Sequence, residues 1–171
     1  MKRLLLAAAL LSVFAATSAM AQTVYIVRHA EKADASADPV LSAAGTERAG
    51  ALAALLADAH PDVILTSPLQ RTILTAAPTA EYHHVTPIAV PFAGGTAGHV
   101  EAVAARVRTL PSDAVVLIVG HSNTAPLIAR ALGYAEAADM SECEFDRLTV
   151  LHLTADGAHG QVRRYGAAST C

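Results

Sequence analysis

Thr23-Val24-Tyr25-Ile26-Val27-Arg28-His29 is a β-branched and aromatic run that ends abruptly on a cation and an imidazole. Its composition reads as the first strand, Thr23 to Val27, with Arg28 and His29 directly after it. Two further runs follow the same plan. Val63-Ile64-Leu65-Thr66 leads into Ser67-Pro68, and Ala114 to Val119 stops at Gly120-His121-Ser122-Asn123. The second of these is the most continuous apolar run after the N-terminal segment and is expected at the centre of the sheet.

Helical stretches separate the strands. Ser42 is placed to cap a helix running to about Ala59, with Ala49, Leu52, Ala53 and Leu56 at helical spacing. Ser67-Pro68 suggests the cap and first turn of a helix to about Ala80. A short strand is expected over Thr86 to Val90, a helix from about Gly98 to Thr109, and another from the His121 segment to about Leu132. Leu148 to Leu153 and Gln161 to Arg164, joined through Asp156-Gly157, read as a closing hairpin. Strands alternating with helices predict an α/β fold with a largely parallel sheet. With no repeat, linker or low-complexity tract, residues 22–171 read as one domain.

Residues 1–21 stand apart. Lys2 and Arg3 precede an apolar run from Leu4 to Ala16, and Ala19-Met20-Ala21 supplies a small-x-small cleavage signal before Gln22. That order is the pattern of a secretory signal peptide. The run falls short of the ~20 residues of a spanning helix, so no stable membrane association is expected after cleavage. An uncleaved anchor or a buried first helix is the alternative. The expected location is periplasmic or secreted.

The chain carries 12 basic and 15 acidic residues, and losing Lys2 and Arg3 would make it more acidic. It has no basic run, which argues against nucleic acid as a partner. Cys143 and Cys171 are the only cysteines. In an oxidising compartment they are expected to pair, two free thiols being the alternative. A catalytic thiolate is disfavoured at Cys143 by Glu142 and Glu144. His83-His84 is adjacent rather than at ligand spacing, and His60, His152 and His159 are isolated, so no metal site is expected.

The chemistry gathers at strand ends. Arg28 and His29 follow the first strand, Arg71 lies in the first turn after the second, and His121 follows the Ala114–Val119 strand. Ligands of open α/β sheets bind outside the carboxyl ends of the strands, so these residues can converge. Two guanidinium groups match a phosphate in charge and fork geometry. A neutral imidazole can attack phosphorus while a second one hydrogen-bonds an equatorial oxygen.

Four ordered elements resemble the histidine phosphatase superfamily, also called phosphoglycerate mutase-like. They are Val24–Lys32 with its Arg28-His29-Ala30, Leu41-Ser42-Ala43-Ala44-Gly45, Thr66-Ser67-Pro68-Leu69-Gln70-Arg71-Thr72, and Val119-Gly120-His121-Ser122-Asn123-Thr124. The resemblance covers residues 22–171. It implies a three-layer sandwich with a mostly parallel central sheet flanked by helices. It further implies that His29 becomes the phosphohistidine and His121 is its partner. Arg28, Arg71 and the backbone at Ser122 would hold the phosphate, with no metal or organic cofactor. The implied activity is hydrolysis of a phosphorylated small molecule or an envelope phosphate group. A phosphoryl mutase, or a catalytically weak phosphate-binding or sensing module, is the alternative.

One element of the pattern is missing. Relatives that cleave phosphomonoesters efficiently carry a Glu general acid after the second arginine, where this chain reads Glu81 to Phe92 with no Glu at the usual place. Glu31, Glu101 and His99 are the candidates, with solvated helix positions the simpler reading for the last two. Glu31 is alternatively a carboxylate that orients Arg28 or Lys32. Specificity residues are expected in the loop between His29 and Leu41 and in the Ala93–Gly98 region.

Overall fold

The computed structural model describes residues 21–171; the segment read as an export signal lies outside them, apart from Ala21. Ten elements follow one another. They are β1 (Gln22–Arg28), α1 (Ala43–Leu55), β2 (Val63–Thr66), α2 (Gln70–His83), β3 (Ile88–Ala89), α3 (Gly95–Arg108), β4 (Val115–Gly120), α4 (Ala125–Ala131), β5 (Arg147–Thr154) and β6 (Gly157–Arg164). They build a six-stranded sheet in the order β3-β2-β4-β1-β5-β6. The first four strands in that order run parallel, and β5 and β6 complete the sheet antiparallel to their neighbours.

Strand β4 is central, as its unbroken apolar run requires. Its side chains alternate between two cores because successive residues of a strand point to opposite faces. Val116 and Ile118 join Val24, Ile26, Val103, Val107 and Ile128 beneath α3 and α4. Leu117 and Val119 join Val27, Leu52, Ile64, Ala76 and Leu148 beneath α1 and α2. The result is the expected three-layer α/β sandwich. Full burial of each such Leu, Ile or Val contributes roughly 1.5–3 kcal/mol.

Several element boundaries differ from the sequence reading. Helix α1 stops at Leu55, and Leu56–Ala59 closes in tighter turns with Ala57 N donating to Ala54 O and Ala59 N to Leu56 O. Helix α2 begins at Gln70, two residues later than expected, and the Ser67 hydroxyl before it accepts from Leu69 N and bonds the His121 ring and Thr72. Helix α3 begins a turn early, where Gly94 supplies the left-handed conformation at φ 76°. Helix α4 is short and begins at Ala125, so Ser122 and Asn123 do not cap it.

The α1 start is pinned to the segment after β1. Ser42 N donates to Glu31 O at 2.9 Å, and Ser42 Oγ caps the helix by accepting from Gly45 N. A Cβ at Gly45 would overlap the Glu31 carbonyl oxygen, so only glycine allows this approach. Gly45→Ala is expected to lower the unfolding free energy by roughly 1–2 kcal/mol, the steric cost outweighing the gain in helix propensity. Unchanged stability in a denaturant titration would contradict the account.

Candidate active site

Loops leaving β1 and β4 turn to opposite faces of the sheet, to α1 on one side and α4 on the other. Because β1 and β4 are neighbours, a crevice opens between their carboxyl ends, the place where α/β sheets bind ligands. Arg28 and Gly120 are partners in the β1–β4 register, and His29 N donates to Gly120 O at 2.9 Å. The next residue on each strand is a histidine. The His29 and His121 rings lie 5.2 Å apart, at 64° to each other.

His29 is buried, with Nδ1 2.7 Å from the Ala30 carbonyl. A carbonyl only accepts, so Nδ1 carries the proton and Nε2 keeps its lone pair. Burial pushes the His29 pKa down to about 4, against the Ala30 hydrogen bond and aided by the positive field of Arg28, Arg71 and Lys32. The ring is thus neutral at physiological pH, with its free nitrogen on the ε position.

His121 is also buried, and burial and the cations around it lower its pKa to about 3. Its Nε2 is 3.0 Å from Ser67 Oγ. Thr72 Oγ1 lies 2.8 Å from Leu69 O and 3.0 Å from Ser67 O, so its proton goes to a carbonyl and it accepts from Ser67 Oγ. Thr72 can thus take the Ser67 proton, an arrangement in which His121 Nε2–H donates to Ser67 Oγ. The sequence reading missed Ser67, because Ser-Pro before a helix has the local signature of a cap.

Arg28 is 3 % exposed and firmly held. Its Nη1 donates to the carbonyls of Ser141, Glu142 and Glu144 at 3.1, 2.6 and 3.3 Å, and its guanidinium lies 4.1 Å from the Phe145 ring centroid. Its Nη2 meets Glu142 Oε2 at 3.0 Å. Glu142 Oε1 in turn accepts from Ser122 Oγ at 2.5 Å. Arg71, on the first turn of α2, is only loosely engaged, 3.8 Å from Asp38 and 3.5 Å from Ala37 O. Asp38 also accepts from Gln70 N at 2.8 Å.

Arg28, His29, Arg71, His121 and Ser122 therefore converge on one crevice. The three candidate acids do not offer a proton donor there. Both oxygens of Glu31 accept from Arg48 at 2.7–3.0 Å. Burial would raise the Glu31 pKa, but the Arg48 hydrogen bonds prevail and hold it low. Glu101 is exposed on α3 and pairs with Arg108 at 3.3 Å. His99, expected on a solvated face, is instead buried and stacked on Phe92 at 4.4 Å, because Phe92 folds back over α3 and bridges toward His121. Among the described residues no three His, Cys, Asp or Glu side chains gather to hold a metal ion.

Cys143 and Cys171 form a disulfide with a Cα separation of 5.3 Å. It ties down the segment whose carbonyls hold Arg28. Glu144 and Asp146 secure the same segment through Arg147 and Arg164 at 2.6–2.8 Å.

Residues 24–91 match the family model described as histidine phosphatase superfamily (branch 1). No curated protein matches the chain. Among solved structures, a candidate phosphohistidine phosphatase SixA from Nakamurella multipartitia is 28 % identical, with 86 % of this chain and 98 % of that one covered and a TM-score of 0.62. The protein histidine phosphatase SixA complexed with tungstate gives 0.67 at 21 % identity, covering 86 % and 96 %. The mycobacterial glucosyl-3-phosphoglycerate phosphatase gives 0.63 at 15 % identity, covering 86 % and 100 %. The last two likenesses are likenesses of fold.

The folded protein resists protonating either ring until about pH 4 for His29 and about pH 3 for His121. The unfolded chain takes up the same protons near the ordinary value of ~6.5. Stability is therefore expected to fall as pH drops through that window, since the unfolded state then binds more protons. Histidine Cε1–H shifts followed by NMR should show no midpoint near 6.5 for either residue; midpoints there would contradict the buried, cation-flanked geometry.

Proposed function

We propose that this protein, whose residues 24–91 match the histidine phosphatase superfamily model, belongs to that superfamily and hydrolyses phosphorylated small molecules by passing the phosphoryl group through His29. The observation that carries this reading is the His29 tautomer. Its Nδ1–H is fixed on Ala30 O, leaving Nε2 unprotonated beside a second imidazole. The 28 %-identical candidate phosphohistidine phosphatase supports the same class of reaction.

In this mechanism Nε2 of His29 attacks phosphorus in line with the leaving group. Negative charge on the equatorial oxygens meets Arg28, Arg71 and Ser122, and His121 Nε2–H turns from Ser67 to an oxygen. The P–N bond forms as the bond to the leaving group breaks. Water then attacks the phosphohistidine, returning the P–N electron pair to His29 and releasing inorganic phosphate. The Ala30 hydrogen bond holds the ring in one orientation through both steps.

The site supports good leaving groups best. Glu31 is committed to Arg48, and hydrogen bonding by Ser122 keeps Glu142 in its carboxylate form against the effect of burial. Among the described residues, neither carboxylate therefore donates a proton readily to an alkoxide. Phosphoramidates, acyl phosphates and aryl phosphates need less of that help. A metal takes no part in these steps.

We further propose that the protein works in the periplasm or outside the cell. The charged, apolar and small-residue order of residues 1–21 supports this, as does the Cys143–Cys171 disulfide.

Purified protein is expected to hydrolyse an activated aryl phosphate with vanadate as an inhibitor and no loss on EDTA treatment. Arg71→Ala should lower kcat/KM by about 10²–10³-fold, the usual effect of removing one transition-state donor. Strong EDTA sensitivity, or full activity in Arg71→Ala, would count against the mechanism.

A further inference from the structure

A recess of about 310 Å³ adjoins the phosphate crevice and shares Ser122 and Glu142 with it. Asn123, Leu127, Asp139 and Met140 complete most of its wall. In a phosphatase the leaving moiety must lie beside the phosphate, and this recess begins where the phosphate donors end. Its walls are partly apolar and its charged groups are carboxylates.

The two carboxylates differ. Asp139 is already compensated by Arg130 at 2.6 Å. Among the described residues, Glu142 is bonded by Arg28 and Ser122, the groups a phosphate would take. Its side chain is 83 % exposed, so it is free to turn without repacking a core. Lys32 contributes positive field at Glu142, but it forms no ion pair with it among the described residues.

Resting on the phosphatase reading above, we propose that Glu142 is the specificity residue of the site. In the free protein its carboxylate holds Arg28 and Ser122. Once phosphate takes those donors, Glu142 turns to a cationic group on the leaving moiety lodged in the recess. The site then favours phosphorylated molecules that carry an amine or other cation. Phosphorylated hydroxy acids and bisphosphates are disfavoured, because a second anion there meets an uncompensated carboxylate.

Calorimetric binding to the disulfide-intact His29→Ala protein separates selectivity from chemistry. Three probes are titrated: inorganic phosphate, phosphoethanolamine, and phosphoglycolate as the anionic counterpart of similar size. Phosphoethanolamine is expected to bind about fivefold more tightly than phosphoglycolate, the scale of one partly exposed ion pair. Adding Glu142→Gln should bring the ratio near one, and adding Glu142→Lys should reverse it. A ratio that ignores both substitutions, or a preference for phosphoglycolate, overturns the assignment. Failure of inorganic phosphate to bind would instead overturn the phosphatase reading, and this inference with it. Circular dichroism of each variant confirms that a changed ratio is read on folded protein.

Discussion

The parallel pairing of β1 with β4 is the constraint on which the site depends. Val24 to Val27 lie beside Val116 to Val119 in unbroken register, and the His29 N–H donates to the Gly120 carbonyl at the end of the ladder. A slip of one residue would turn every side chain of the slipped strand to the opposite face, into a core shaped for its neighbours. Hydrophobic burial therefore fixes the register, and the register fixes the separation of the two histidines. The geometry of the candidate site is inherited from packing. The close approach of α1 at Gly45 then secures the chain that leaves His29.

Charge is arranged with similar economy. A buried arginine is costly unless its donors are satisfied, and Arg28 is held largely by neutral carbonyls rather than by carboxylates. Its positive charge is thus retained for an anionic ligand. Those carbonyls are held still by the Cys143–Cys171 disulfide and by the ion pairs of Glu144 and Asp146 with Arg147 and Arg164. The same positive field, added to burial, keeps both imidazoles neutral. In the proposed mechanism one arrangement thereby serves both to attract phosphate and to preserve the lone pair that attacks it.

Much of this was legible in the sequence because it is local. Strand runs ending in Arg28-His29 and in Gly120-His121 carry both the fold and the strand-end histidines in adjacent residues. The α/β class followed from alternation, and the cysteine pair from number and the compartment expected from residues 1–21. What stayed hidden depends on distant contacts. Ser67 looked like a helix cap until His121, more than fifty positions away, was brought to its hydroxyl. Glu142 looked like a mere neighbour of Cys143; its meeting with Arg28 is made by the β1–β5 side of the sheet and the C-terminal tether. The settings of Glu31 and His99, candidates for the acid in the sequence, stayed hidden for a similar reason, since Arg48 and Phe92 meet them only in three dimensions.

The claim that His29 carries the phosphoryl group is tested most directly by rapid acid-free quenching of the enzyme during turnover of a ³²P-labelled aryl phosphate, followed by peptide mapping. The account predicts an acid-labile, base-stable phosphoryl group on the peptide containing His29, absent from His29→Ala. Label on another residue, or undiminished turnover by His29→Ala without any labelled intermediate, would contradict it.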